Sequence, residues 1–305
     1  MTHAISGLWP ALLTPVDPSG RIDENRLLKQ ARRMLAAGAD GVTLFGSTGE
    51  GTAFSVRQRQ SLFGAVLAGG IRADQLIVNI TACAIDDAAA LGRQGIEAGC
   101  AGTLFMPPFY FNQPRDEGVV ASVSQLVGAL AGAGRPNLLL YQLPALSNVS
   151  FSHAAIRELV LRHPDQVVGV KDSTGDLAHS LGLVRAFPML SILIGAEPDV
   201  AQAMRAGASG SINGLANLAP RLMQRIVSAP DRVSPNDERQ MRGLLTLLGV
   251  LPDLPFVSAY KTGLAEQLRD DAWLEVCPPL SPLRPQEAAA VREAYRRVGV
   301  DPETI

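Results

Sequence analysis

The sequence predicts an α/β fold: a (β/α)8 TIM barrel followed by a C-terminal helical extension. Three observations carry that expectation. Short apolar, often β-branched runs recur, and they are continuous rather than alternating, as strands buried on both faces require. A segment of helical period follows each run. The connector Ala-Gly-x-x-Gly returns at Ala37–Gly41, Ala98–Gly102 and Ala206–Gly210, between a helical pattern and the next strand. Its first glycine suits a left-handed helix end, and its second starts a strand without a side chain. An open doubly wound sheet is the alternative arrangement of the same alternation.

In chain order, the expected strands are Leu8–Thr14, Gly41–Phe45, Leu76–Thr81, Thr103–Met106, Asn137–Leu143, Val167–Lys171, Ile192–Gly195 and Gly210–Asn213. Asp23 can N-cap a helix ending at Gly38, and Ser55 one ending near Gly69. Further helices are expected at 86–98, 115–131, 152–162, 176–187 and 198–206. From Pro220 onward no strand pattern recurs. Helical patterns at 220–228, 236–250, 255–268 and 285–298 are separated by proline-containing turns. The expected organisation is a barrel with the active site over 1–228 and a helical domain packed on it over 229–305.

Composition narrows the function. Against 27 basic residues stand 29 acidic ones, a net charge of −2, so no basic field marks a nucleic-acid or anionic-membrane partner. With 47% hydrophobic and 18% charged residues, the chain can bury a large core. Cys83, Cys100 and Cys277 form no CxxC or Cys/His pattern, which argues against a disulfide framework and a structural zinc. Reduced thiols in the cytoplasm are the expectation. The first sixteen residues lack Lys and Arg and are broken by Pro10 and Pro15, unlike a signal peptide. No apolar run approaches the ~18–20 residues of a membrane span. The four histidines, His3, His153, His163 and His179, fall outside strand ends, so no histidine-ligated metal is expected. Neither a GxGxxG after a strand nor a GxSxG elbow is present.

Barrel enzymes build their sites at the C-terminal ends of the strands. There the sequence places Gly46-Ser47-Thr48-Gly49-Glu50-Gly51, Pro107–Tyr110, Tyr141–Pro144, Lys171–Asp176 and Gly195-Ala196-Glu197. Lys171 stands out, since Lys29 and Lys261 are the other lysines and only Lys171 ends a buried strand. An ammonium there is costly unless paired, and a neutral amine is what attack on a carbonyl requires. The bland alternative is a buried ion pair of Lys171 with Asp172 or a glutamate. Backbone N–H groups and hydroxyls of the Gly46–Gly51 loop suit a small anion such as a carboxylate. Tyr110 and Tyr141 also sit at strand ends, where a phenol can relay protons.

Together these motifs resemble the pyruvate-dependent class I aldolase family of dihydrodipicolinate synthase and N-acetylneuraminate lyase. Gly46–Glu50, Tyr141–Pro144 and Val168-Gly169-Val170-Lys171-Asp172 carry the likeness, which spans nearly the whole chain. The resemblance implies a Schiff base on Lys171 and no other cofactor. It implies a proton shuttle at Tyr141, a pyruvate-carboxylate site at Ser47 and Thr48 with Thr48 linking the tyrosines, and a pocket bordered by Ile212. It also implies a homotetramer in which Tyr110, or Phe111 on another alignment, serves a neighbouring subunit.

Two departures bear on the substrate. Synthase-type members carry an arginine where this chain has Leu146. Lyase-type members carry an acidic pair where it has Glu197 and Pro198. A Schiff-base lyase acting on a 2-keto-3-deoxy sugar acid is the leading expectation, with Ser173, Gly195 and Glu197 beside the polyol. The alternatives are 4-hydroxy-tetrahydrodipicolinate synthase, a neuraminate-lyase-like or dehydratase activity, and a non-catalytic 2-oxo-acid-binding barrel.

Overall fold

The computed structural model describes residues 4–251 and 253–305. Among them β1 (Gly7–Leu8), β2 (Val42–Leu44), β3 (Leu76–Asn79), β4 (Gly102–Phe105), β5 (Leu138–Gln142), β6 (Val167–Asp172), β7 (Ser191–Ile194) and β8 (Gly210–Ser211) form one all-parallel sheet. Neighbours follow chain order, and β1 lies beside β8. A bridge between Ala11 and Thr43 joins the two ends of the sheet into a barrel.

The first strand is shorter than expected, and Pro10 shows why. Trp9 and Ala11 donate to Ser211 and Asn213 on the β8 side, both at 2.9 Å. Proline has no N–H to offer. Its carbonyl instead accepts from Thr43 at 2.8 Å, and Leu12 then donates to Thr43 at 3.0 Å. The chain thus passes from one neighbour to the other across Pro10.

Between the strands lie α1 (Glu24–Ala36), α2 (Val56–Ala68), α3 (Ile85–Glu97), α4 (Asp116–Ala129), α5 (Pro144–Ser147), α6 (His153–Arg162), α7 (Leu177–Ala186) and α8 (Val200–Arg205). Then come α9 (Pro220–Ser228), α10 (Pro235–Leu245), α11 (Phe256–Leu268) and α12 (Pro285–Val298). Asp23 caps α1 and Ser55 closes a capping box with Gln58 on α2. α5 was not expected; the expected helix 236–250 ends at Leu245 and tightens into a 3₁₀ turn over Thr246–Gly249. The connector glycines Gly38, Gly99 and Gly207 have φ of +95°, +83° and +103°. A Cβ on Gly210 would lie 2.1 Å from the Gly7 carbonyl, so that strand start needs a glycine.

Apolar side chains form two layers. Trp9, Ile77, Leu104, Leu139, Val168, Leu193 and Ile212 fill the barrel interior. A second core lies between strands and helices and continues through Leu244, Val257, Leu264 and Val291 into α10–α12. The C-terminal segment therefore shares a core with the barrel. No helix among the described residues is long and apolar enough to cross a membrane.

Candidate active site

Lys171 owes its direction to an irregularity in β6. Strand residues alternate faces, and Val167 belongs to the outer core. Strict alternation from Val167 would send Lys171 outward too. The register skips a residue between Leu138↔Val167 and Leu139↔Gly169, a bulge that restarts the alternation. Val170 then faces the helices and Lys171 faces the barrel opposite Tyr141. A Cβ on Gly169 would meet the Ser191 carbonyl at 2.2 Å, so the bulge requires glycine.

Inside the barrel Lys171 is 4% exposed, its Nζ 4.1 Å from the centroid of the Tyr141 ring. Tyr141 is equally buried, and its Oη lies 3.1 Å from Ser47 Oγ. Amine, phenol and hydroxyl therefore come together from β6, β5 and the loop after β2. Asp172 does not pair with Lys171. It points outward, where it accepts from Ser180 Oγ at 2.6 Å and lies 3.1 Å from His179 Nδ1. Ile212 lies in the interior layer beside this group.

The glycine-rich loop is narrower in its offer than expected. Gly49 and Gly51 donate to the Gly46 carbonyl and Glu50 to the Ser47 carbonyl, so those amides are taken. Among the described residues the N–H groups of Ser47 and Thr48 have no partner within the chain. The hydroxyl on Tyr141 is that of Ser47, whereas the resemblance gave the linking role to Thr48. The methyl of Thr48 instead faces Gly214, where a Cβ would sit 3.4 Å from it.

Other expected site residues are dispersed. Tyr110 and Phe111 are 78% and 83% exposed beyond β4, and neither reaches Tyr141 within its own chain. Ser173 does crown β6 next to Gly195, since a Cβ there would fall 2.0 Å from Ser173 Oγ. Glu197 is engaged in holding the fold. Its Oε1 accepts from the Gly214 and Leu215 amides at 3.1 and 3.0 Å and from Tyr260 Oη at 3.1 Å. Burial raises its carboxyl above the ordinary range, against the pull of those donors, and lifts the Tyr260 phenol well above 10. These contacts commit Oε1 to the fold.

Sequence reasoning missed one partnership. Glu50, left-handed at φ +54°, meets Lys261 Nζ at 2.5 Å with both side chains almost fully buried. Lys261 also donates to the Glu275 carbonyl at 2.6 Å, and the Cys277 amide donates to Glu50 Oε2 at 2.6 Å. Burial lowers the Lys261 ammonium from its ordinary value, with Glu50 opposing the shift. The available signal was a lysine in the otherwise uncharged run Val257–Ala265. Among the described residues no three His, Cys, Asp or Glu side chains gather to hold a metal, and all three cysteines are unpaired.

The sequence profile of the dihydrodipicolinate synthetase family matches residues 4–295. The chain belongs to that family. An uncharacterized DapA-like lyase of Chloroflexus aurantiacus is 32% identical over 299 residues, covering 96% of each chain. Dihydrodipicolinate synthase of Agrobacterium tumefaciens superposes with a TM-score of 0.90 at 30% identity, over 96% of this chain and 99% of that one. N-acetylneuraminate lyase of Proteus mirabilis shares the fold, with a TM-score of 0.84 at 19% identity over 97% and 99%. Membership in the dihydrodipicolinate synthetase family makes this chain an enzyme of the lyase class, and the family barrel agrees with the one expected from its strand pattern.

Proposed function

We propose that this family member is a class I aldolase that joins pyruvate to an aldehyde, or releases it, through an imine on Lys171. No metal or organic cofactor enters the scheme. One observation carries the reading: the amine of Lys171 sits against the Tyr141 ring, and the Tyr141 phenol touches Ser47. Lys171 attacks the ketone carbon of a 2-oxo acid. Tyr141 supplies a proton to the carbinolamine oxygen, which leaves as water. The free amides and hydroxyls of Ser47 and Thr48 receive the carboxylate, and Ile212 closes the floor. The imine then stabilises the carbanion at C3, which adds to the aldehyde or is released by cleavage.

Relatives of Herminiimonas arsenicoxydans and Acidovorax are named 4-hydroxy-tetrahydrodipicolinate synthase, at 28% and 26% identity, which favours that activity as a second reading. Leu146 argues against it, because it offers no guanidinium to a carboxylate-bearing aldehyde. We further propose a cytoplasmic homotetramer in which the exposed Tyr110 completes a neighbour's relay. Borohydride reduction with pyruvate tests the imine, and a stable adduct on Lys171 is expected. Peptide mapping that finds none, or finds it on Lys29 or Lys261, refutes the reading.

A further inference from the structure

Above the C-terminal ends of β2–β5 lies a cavity of about 280 Å³ that reaches Gly46 and Ser47, and Ser47 is the residue it shares with the proposed Lys171–Tyr141 site. Its size is near the small end of ligand pockets, roughly 300–1,000 Å³, and suits one ring or one branched chain. Met106, Phe109, Leu146, Phe256, Val257 and Leu280 are among the apolar residues of the wall. Among the described residues no Lys or Arg lines it.

Several polar groups in the wall are held within the chain, while the Thr52 hydroxyl and the Asn79 side-chain N–H groups have no hydrogen-bond partner among the described residues. Glu50 is held by Lys261 and the Cys277 amide. Asn79 Oδ1 accepts from the Thr81 amide and hydroxyl at 2.9 and 2.6 Å, and Thr81 Oγ1 accepts from the Met106 amide at 3.0 Å. Ser147 Oγ donates to the Leu143 carbonyl at 3.0 Å and accepts from the Val149 amide at 3.2 Å. A carboxylate or a row of hydroxyls entering here would shed water and find few partners, a cost that apolar groups do not carry.

We infer that the aldehyde partner is uncharged and apolar, an aryl or branched alkyl aldehyde, so the aldol is a 4-hydroxy-2-oxo acid with that group on C4. This inference rests on the imine reading above and names its second substrate. In cleavage the C3–C4 bond breaks and its electron pair stays on C3 as the enamine. The C4 hydroxyl proton leaves through Tyr141 and Ser47 and is returned to C3, and water then hydrolyses the imine to pyruvate. Atoms and charge balance without an oxidant or reductant. Leu146, Phe109 and Phe256 act as the specificity-determining wall.

The test measures condensation of pyruvate with benzaldehyde, 3-methylbutanal, glyceraldehyde and aspartate semialdehyde, with borohydride trapping of the pyruvate imine carried out on a separate aliquot of the same preparation. Benzaldehyde, 3-methylbutanal or both should exceed glyceraldehyde and the semialdehyde in kcat/KM by about tenfold or more, the scale that hydrophobic pockets discriminate. Which of the two leads tells whether the group is aryl or alkyl. In Phe256→Ala the ratio of the better apolar aldehyde to glyceraldehyde should fall about tenfold, and in Leu146→Arg the semialdehyde should gain relative to both. Trapping and circular dichroism show that each variant is folded. A trapped imine with glyceraldehyde or the semialdehyde preferred overturns the inference and leaves the imine reading standing, whereas no trapped imine overturns both.

Discussion

Lys261→Met is the most informative perturbation of the framework around the site. It removes the ammonium but keeps much of the side-chain volume, and leaves the Glu50 carboxylate buried without its partner. At 2.5 Å and an effective dielectric near 20, the gross attraction is about 7 kcal/mol, most of it offset by the desolvation of two nearly inaccessible ions. What the variant exposes is the uncompensated charge, which typically costs about 3–5 kcal/mol. For 305 residues the unfolding entropy near ~0.6 kcal/mol/K turns this into a fall in Tm of about 5–8 °C.

The assay is thermal or urea unfolding of Lys261→Met, Glu50→Gln and the double variant. Combining them should recover much of the loss, because the amide that replaces the Glu50 carboxylate is neutral and its carbonyl can still accept from the Cys277 N–H. Function should follow the loop that carries both Glu50 and Ser47. Lys261→Met should therefore raise the pyruvate concentration needed for half-maximal imine trapping, with the adduct still on Lys171. A single variant that loses less than about 1 kcal/mol, or a double variant no better than the worse single one, refutes the argument.

Three further outcomes are expected. Tyr141→Phe keeps the ring beneath Lys171 but removes the oxygen on Ser47, so turnover should fall by about 10²–10⁴ with the fold intact; unchanged turnover would make Tyr141 a packing residue. Gly195→Ala drives a methyl into Ser173 Oγ and should cost roughly 1–3 kcal/mol, recovered in part by Ser173→Gly; calorimetry that finds Gly195→Ala as stable as the parent contradicts the close approach. Burial raises the Glu197 carboxyl above its ordinary 4.5, so its protonated form contributes stability at lower pH that is lost as pH rises through the raised value. Glu197→Gln stays neutral throughout, so its stability relative to the parent should climb as pH rises above the ordinary 4.5 and through the raised value; a difference that does not change with pH excludes Glu197 as the titrating group.

The barrel was legible because its signals are local. Runs such as Leu138–Leu140 and Ile192–Ile194 are buried on both faces, and the same glycine connector follows α1, α3 and α8. Lys171 could be singled out as a lysine at a strand end, but its inward direction could not be read. Counting faces from Val167 gives the wrong side, and only Gly169 hinted at the bulge that corrects the count. Glu197 is expected beside the polyol from the acidic pair of lyase-type members, and its contact with Tyr260, far along the chain, has no local signal. Which of the loop amides stay free has no local signal either, for a different reason. A glycine-rich turn shows that backbone can approach closely, but not whether its N–H groups face a ligand or one another.

The non-local contacts share an origin in α11. Phe256 and Tyr260 lie one helical turn apart with ring centroids separated by 6.4 Å, and Val257 and Lys261 are spaced likewise. One side of the helix thus carries four side chains with different duties. Tyr260 holds Glu197 and, through it, the loop after β8. Lys261 holds the loop after β2 that presents Ser47. Phe256 and Val257 face the cavity above that loop. The C-terminal segment thus fixes two of the loops that frame the candidate site and supplies part of the wall against which the second substrate would rest. Because these duties fall at i, i+1, i+4 and i+5, a rotation or slip of α11 would disturb loop anchoring and wall shape together. A substitution at Phe256 or Val257 alone changes the wall and leaves both anchors in place. Selectivity for the aldehyde can therefore change from this helix without altering the strands that carry Lys171 and Tyr141.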